Sequence, residues 1–258
     1  MFKEVSRKAQ VTVFVIVALV IVVLIALYFI FSGNLNNIPE TNGEVADVKS
    51  YIDSCIEKTL EQGIYYNGLQ GGYYDPPLSS VTYSEIKIPY YWQDNKNLVP
   101  EKSKIEQELA KYVDNELSNC INNFEAFNSS TYEISHEVPK SEVKILDNRI
   151  RVNINYPISV KKADETFVLE KFVSELDFDF LSKYNYAQQI VDEHENSPNT
   201  VPLGFITTLA DRNNFKIETI DLDEDVVIYS LIFQEQNDKV YIYDFAAKYD
   251  WEDENIGA

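Results

Sequence analysis

Residues 11–31 limit what this chain can become more than any other stretch. They carry no charge, and Thr12 is the one polar side chain among them that is not aromatic. As a helix rising 1.5 Å per residue they span roughly 30 Å, the thickness of a bilayer's hydrocarbon core. A helix on a water-soluble domain needs a polar face, and this one has none. Val and Ile dominate it. They are indifferent helix formers in water, but in lipid every backbone group must be satisfied within the segment, so helix wins. Ser32, Gly33, Asn34 and Pro39 end it.

Charge sets the direction of insertion. Lys3, Arg7 and Lys8 precede the run, and the first basic residue after it is Lys49. The positive-inside rule therefore predicts a cytoplasmic N-terminus, with the bulk of the chain outside. A cleaved secretory signal has a shorter apolar core, about 7–15 residues, followed by a small-residue cleavage site. No A-x-A site follows here.

The short segment ahead of the run reads Ser6, Arg7, Lys8, Ala9, Gln10, Val11, Thr12. This resembles the class III signal of archaeal type IV pilins and archaellins. In that family a prepilin-type peptidase cuts behind the small residue on the cytoplasmic side. The apolar helix stays on the mature subunit as filament core. The resemblance implies a leader over residues 1–9, cleavage between Ala9 and Gln10, and a cell-surface filament or adhesin built from copies of this chain. Two positions depart from the pattern. Ala9 stands where Gly is commoner, and Phe14 occupies the fifth mature position, where many pilins carry Glu. An uncleaved single-pass anchor, holding an ectodomain that binds a ligand or an envelope partner, is the alternative.

Behind the run lie 19 of the 22 basic residues and 41 of the 42 acidic ones, and the whole chain has a formal net charge of −20. A surface of that sign repels phosphate backbones, which excludes nucleic acid as a partner. Residues 32–43 form a linker, 44–249 an extracytoplasmic domain with a candidate sub-boundary near 125–140, and 250–258 a loose tail. Val45, Val48, Ile52, Cys55, Ile56, Leu60 and Ile64 follow helical spacing, as do Ile105, Leu109, Val113, Leu117, Cys120, Ile121 and Phe124 in a second helix over 101–124. A loop over 68–77 and an extended segment over 81–92 lie between them. From residue 131 the period becomes two. It predicts a hairpin of 142–146 with 150–160, a strand over 167–180, helices near 183–195 and 203–213, and a closing meander of 216–222, 226–234 and 239–246. The expected class is α+β, with antiparallel meanders and helices packed on one side. The 18 Tyr and 14 Phe belong mostly to its core. The two cysteine-bearing helices, with Gln70-Gly71-Gly72-Tyr73, Ile88-Pro89-Tyr90 and Asn97-Leu98-Val99-Pro100 between or beside them, also resemble surface proteins of small-genome archaea of the DPANN type. That resemblance brings no catalytic residues.

Chemical motifs are few. Cys55 and Cys120 fall on the apolar faces of their helices; outside the cytoplasm such a pair can form a disulfide, and two buried thiols in a reducing setting are the alternative. The glycines at 68, 71 and 72 lack the Lys-Ser/Thr and preceding strand of a phosphate cradle. His136 and His194 stand in no zinc-ligand spacing. Asp192, Glu193, His194 and Glu195 read as a solvated run at a helix end. Asp221, Asp223 and Asp225 alternate as in a calcium loop without its Gly and closing Glu, and read as a hairpin turn, with weak Ca²⁺ binding as the alternative. Nothing singles out a catalytic pair of carboxylates, and no G-x-S-x-G occurs, so no catalytic, cofactor or metal residue is expected. Asn128 opens a glycosylation sequon with Ser129 and Ser130.

Overall fold

The computed structural model describes residues 45–127 and 131–251, together with Val20 and Ile21. The chain divides into two units, Met1–Glu44 and Val45–Ala258, and all that follows concerns the second. The apolar run therefore lies, apart from Val20 and Ile21, outside the described residues, as do Ala9, Gln10 and Asn128. Among the described residues no helix is long and apolar enough to cross a membrane.

Helix α1 (Ala46–Gly68) buries Val48, Ile52, Cys55, Ile56, Leu60 and Ile64, the stripe that the sequence spacing gives. A loop with Gly71 and Gly72 at positive φ (55° and 79°) follows, a conformation that glycine adopts at no steric cost. Strands β1 (Ser80–Tyr83), β2 (Ile86–Gln93) and β3 (Lys96–Asn97) lead to helix α2 (Lys102–Ile121). That helix ends three residues before the expected Phe124. Asn122, Asn123 and Phe124 all take left-handed backbone angles, which break the i→i−4 ladder.

Strands β4 (Tyr132–His136), β5 (Lys140–Leu146), β6 (Arg149–Lys162) and β7 (Glu165–Asp177) form an antiparallel sheet in which β6 pairs with the other three. Its buried residues alternate along β6 from Ile150 to Val160. The expected strand to 180 stops at Asp177, because Asp179 caps helix α3 (Phe180–Asn196). Its carboxylate accepts from Ser182 N at 3.1 Å, a bond worth about 1 kcal/mol of helix stability. Helix α4 (Leu203–Asn213) precedes β8 (Lys216–Asp223), β9 (Val226–Gln234) and β10 (Val240–Lys248). These join β1, β2 and β3 in a second sheet, ordered β1-β2-β10-β9-β8, with β3 on β2.

The class is α+β, but one pairing departs from an all-antiparallel meander. β2 runs parallel to β10, with Tyr90 opposite Ala246 and Trp92 opposite Ala247. The last strand of the unit, β10, thus lies inside the sheet between β2 and β9, and the terminal meander ends in β8 at the sheet's edge. The main core joins α1, α2 and residues of both sheets. Tyr91, Tyr156, Tyr229, Tyr241 and Tyr243 are fully buried in it. Buried hydroxyls need partners; four of these five are hydrogen-bonded, and that of Tyr241 has no partner among the described residues. Tyr91 OH donates to Gly71 O at 2.8 Å and accepts from Tyr243 OH at 2.6 Å, fastening the glycine loop to the sheet.

Candidate functional site

Cys55 on α1 and Cys120 on α2 come together, with Cα atoms 5.6 Å apart and sulfurs at disulfide distance. Beside them Tyr51 OH donates to Cys120 O at 3.1 Å, and its ring meets that of Phe127. The sites that invited chemical readings in the sequence resolve differently.

His194 is not part of a solvated run. It is wholly buried, while Glu193 is only partly so and Asp192 and Glu195 face water. Its Nδ1–H donates to Ile190 O at 2.7 Å, so Nε2 accepts, from Tyr249 OH at 2.6 Å. Tyr229 OH donates to Tyr249 in turn. Trp92 lies 5.5 Å from the imidazole, ring to ring. The histidine pins the end of β10 to α3 and has no access to substrate. Burial pushes its pKa below the ordinary 6.5, so it stays neutral in the fold while the unfolded chain protonates. Stability from this group is fully present above pH 6.5 and is lost as pH falls from there through the lowered pKa of the folded state. His194→Gln is expected to flatten this acid limb of a urea-denaturation series; an unchanged limb would place the dependence elsewhere.

Asp225 lies in a cleft of about 380 Å³ with Asp94, Asn95, Tyr249 and Asp250. Lys248 also lines it, with Nζ 3.2 Å from Asp225 Oδ2. Among the described residues no three His, Cys, Asp or Glu side chains are grouped to hold a metal.

The feature with binding potential lies off the apolar stripe that the helical spacing marks. The outward stripe of α1 presents Gln62, Tyr65, Tyr66 and Leu69, which with Tyr112 of α2 line an open groove of about 500 Å³. The Glu61–Lys239 ion pair closes one rim. The rings of Tyr66, Tyr74 and Tyr112 meet one another, with centroids 5.4–6.1 Å apart. Gly63 makes this possible: a Cβ there would stand 2.7 Å from Tyr112 Cδ1. Burial pushes the Tyr65 and Tyr112 phenols above 10, and Tyr74 likewise with help from its bond to Glu116, so none of the three ionises near neutrality. Neutral aromatic faces with a charged rim suit an apolar or proline-rich segment or a sugar face, not an anion. The adjacent pair Tyr65-Tyr66, beside the apolar stripe and four residues from Glu61, Gln62 and Leu69, was the sequence signal for it.

The described unit is thus a disulfide-closed acidic α+β body with a tyrosine groove on its helical side. In comparison with known proteins, no family model, no curated protein and no solved structure matches the chain.

Proposed function

We propose that this chain is a pilin-like structural subunit of an extracellular filament, assembled through its apolar N-terminal segment. Its acidic α+β unit is held at the cell surface. The uncharged run of residues 11–31 behind Ser6–Thr12 carries this reading. A nearly all-apolar helix is stable in lipid and equally stable among similar helices. At about 25 cal/mol per Å² of apolar surface kept from water, bundling is worth tens of kcal/mol per helix. Lys3, Arg7 and Lys8 oppose that transfer, because each would enter an apolar bundle unpaired. Cutting between Ala9 and Gln10 removes all three. The partners are the membrane, a prepilin-type peptidase and other copies of the chain.

Phe14 favours a second reading. Without a carboxylate to meet the new terminal amine, register must come from the outer units, and an uncleaved anchored ectodomain has no need of register. Sequencing the mature N-terminus separates the two. A chain beginning at Gln10, and loss of filaments when Ala9 is replaced by Glu, support the subunit; a chain beginning at Met1 supports the anchor.

A further inference from the structure

We infer that strand β7 pairs edge to edge with β7 of a second copy, antiparallel, about a two-fold axis between Glu170 and Lys171. Among the described strands β7 pairs only with β6, so the other side of its 13 residues offers a row of unpaired N–H and C=O groups. Such an edge is a template for another strand. The molecule guards its other edges. β1, β3 and β4 are short, with four, two and five residues. β8 carries Glu218, Asp221 and Asp223, all exposed. On β5, Ile145 N donates to Glu106 Oε1 at 3.0 Å, and Lys102 Nζ donates to Ile145 O at 3.0 Å. β7 has no such cover. Eight of its 13 residues are exposed, and no side chain among the described residues bonds to its backbone.

The side chains of β7 name the occupant, because they match their own reverse. With Glu170 set opposite the partner's Lys171, two Glu–Lys pairs form across the axis. Both residues are exposed, and neither makes an ion pair or hydrogen bond among the described residues of its own chain. The same register sets Val168 opposite the partner's Val173. These are 59% and 61% exposed, and both stand on the outer face of the sheet, beside Ser159 and Asn153 of β6. Leu169 then meets Phe172, and Phe167 meets Ser174. All four stand on the inner face, opposite Ile158, Ile154, Val160 and Val152 of β6. No like charges face each other. A slip of one residue sets Glu170 against Glu170, or Lys171 against Lys171, and turns inward side chains against outward ones. Charge and face therefore select one register. The contact is isologous, so it closes a pair and recruits no third copy. It goes beyond the filament reading, since it needs no leader cleavage and serves a filament subunit and an uncleaved anchor alike.

The test uses two differently tagged full-length chains co-expressed in one cell, one carrying Val168→Cys and the other Val173→Cys. Both positions are exposed, so neither change disturbs the core. Directly opposite residues of antiparallel strands have Cα atoms about 4.5–5.5 Å apart, within reach of a disulfide. A residue and its own copy stand five positions apart in this register, about 17 Å, and cannot be bridged. Mild copper oxidation of intact cells is therefore expected to link the two tags at least about tenfold more than it links either variant to itself. Glu170→Lys in both chains puts four lysines at the axis and should remove most of that excess. Adding Lys171→Glu to both restores opposite charges and should restore the cross-link. Linkage of the two tags no greater than self-linkage, or a double reversal that stays as low as Glu170→Lys alone, overturns the pairing.

Discussion

Replacing both Cys55 and Cys120 with alanine is expected to lower the unfolding free energy by about 4 kcal/mol, because the bond closes a loop of 65 residues. The cross-link acts mainly on the unfolded chain, whose freedom it restricts. Its removal should therefore leave the folded unit's secondary structure unchanged while shifting the urea midpoint. Cys55→Ala alone should cost nearly as much as the double replacement, since either change abolishes the bond. A small surplus at Cys55 is expected from the cavity left at a site only 3% exposed. The helices remain in contact through Tyr51, which bonds the carbonyls of Cys120 and Ile121, so α1 and α2 should stay paired in the variant. A loss below about 1 kcal/mol, with both thiols open to alkylation in native protein, would mean that the cysteines are reduced in the native protein.

The cysteine pair was legible in the sequence because it depends on a local rule. Ile52, Cys55, Ile56 and Leu60 must share a face once α1 is a helix, as must Leu109, Val113, Leu117 and Cys120 on α2. The β-hairpins were legible for the same reason, from alternation along 142–160 and turn residues such as Asn148. What escaped depends on contacts distant in sequence. Nothing near Tyr90 or Trp92 says that a strand more than 150 residues later will lie parallel beside it. His194 was misread because its neighbours Asp192, Glu193 and Glu195 are polar, while its own surroundings are Trp92, Tyr229 and Tyr249, supplied by three other segments. The groove was not legible because helical periodicity marks only the buried face of α1. Tyr65, Tyr66 and Leu69 belong to the face it assigns to water.

Asp244→Asn is expected to stabilise the protein at neutral pH by about 3 kcal/mol, since burial raises the carboxyl's pKa from 3.8 to about 6 and so disfavours its ionised form in the fold. Asp244 is 8% exposed on β10, opposite Ser230 of β9. Its neighbours along that face of the strand are Ile242 and Ala246. The Ser230 side chain bonds the carboxylate, but among the described residues Oδ1 has no partner. Because the folded pKa lies above the unfolded one, the folded state holds its proton longer. Below about pH 3.8 both states are protonated and the group has no linkage cost; the cost grows as pH rises from there and is complete above about pH 6. The amide keeps the shape and removes the charge, so its advantage should be full near neutrality and nearly gone at about pH 4. For a unit of this size the neutral-pH gain corresponds to a rise in Tm of roughly 6 °C or more. His194 acts with the opposite sign on the acid side, so the wild-type profile is a sum of the two, and the difference between wild type and Asp244→Asn isolates the carboxyl. Asp223→Asn, at an exposed position, controls for relief of the general negative charge. An Asp244→Asn protein no more stable than this control at neutral pH would mean that the carboxylate is matched there by a cationic partner.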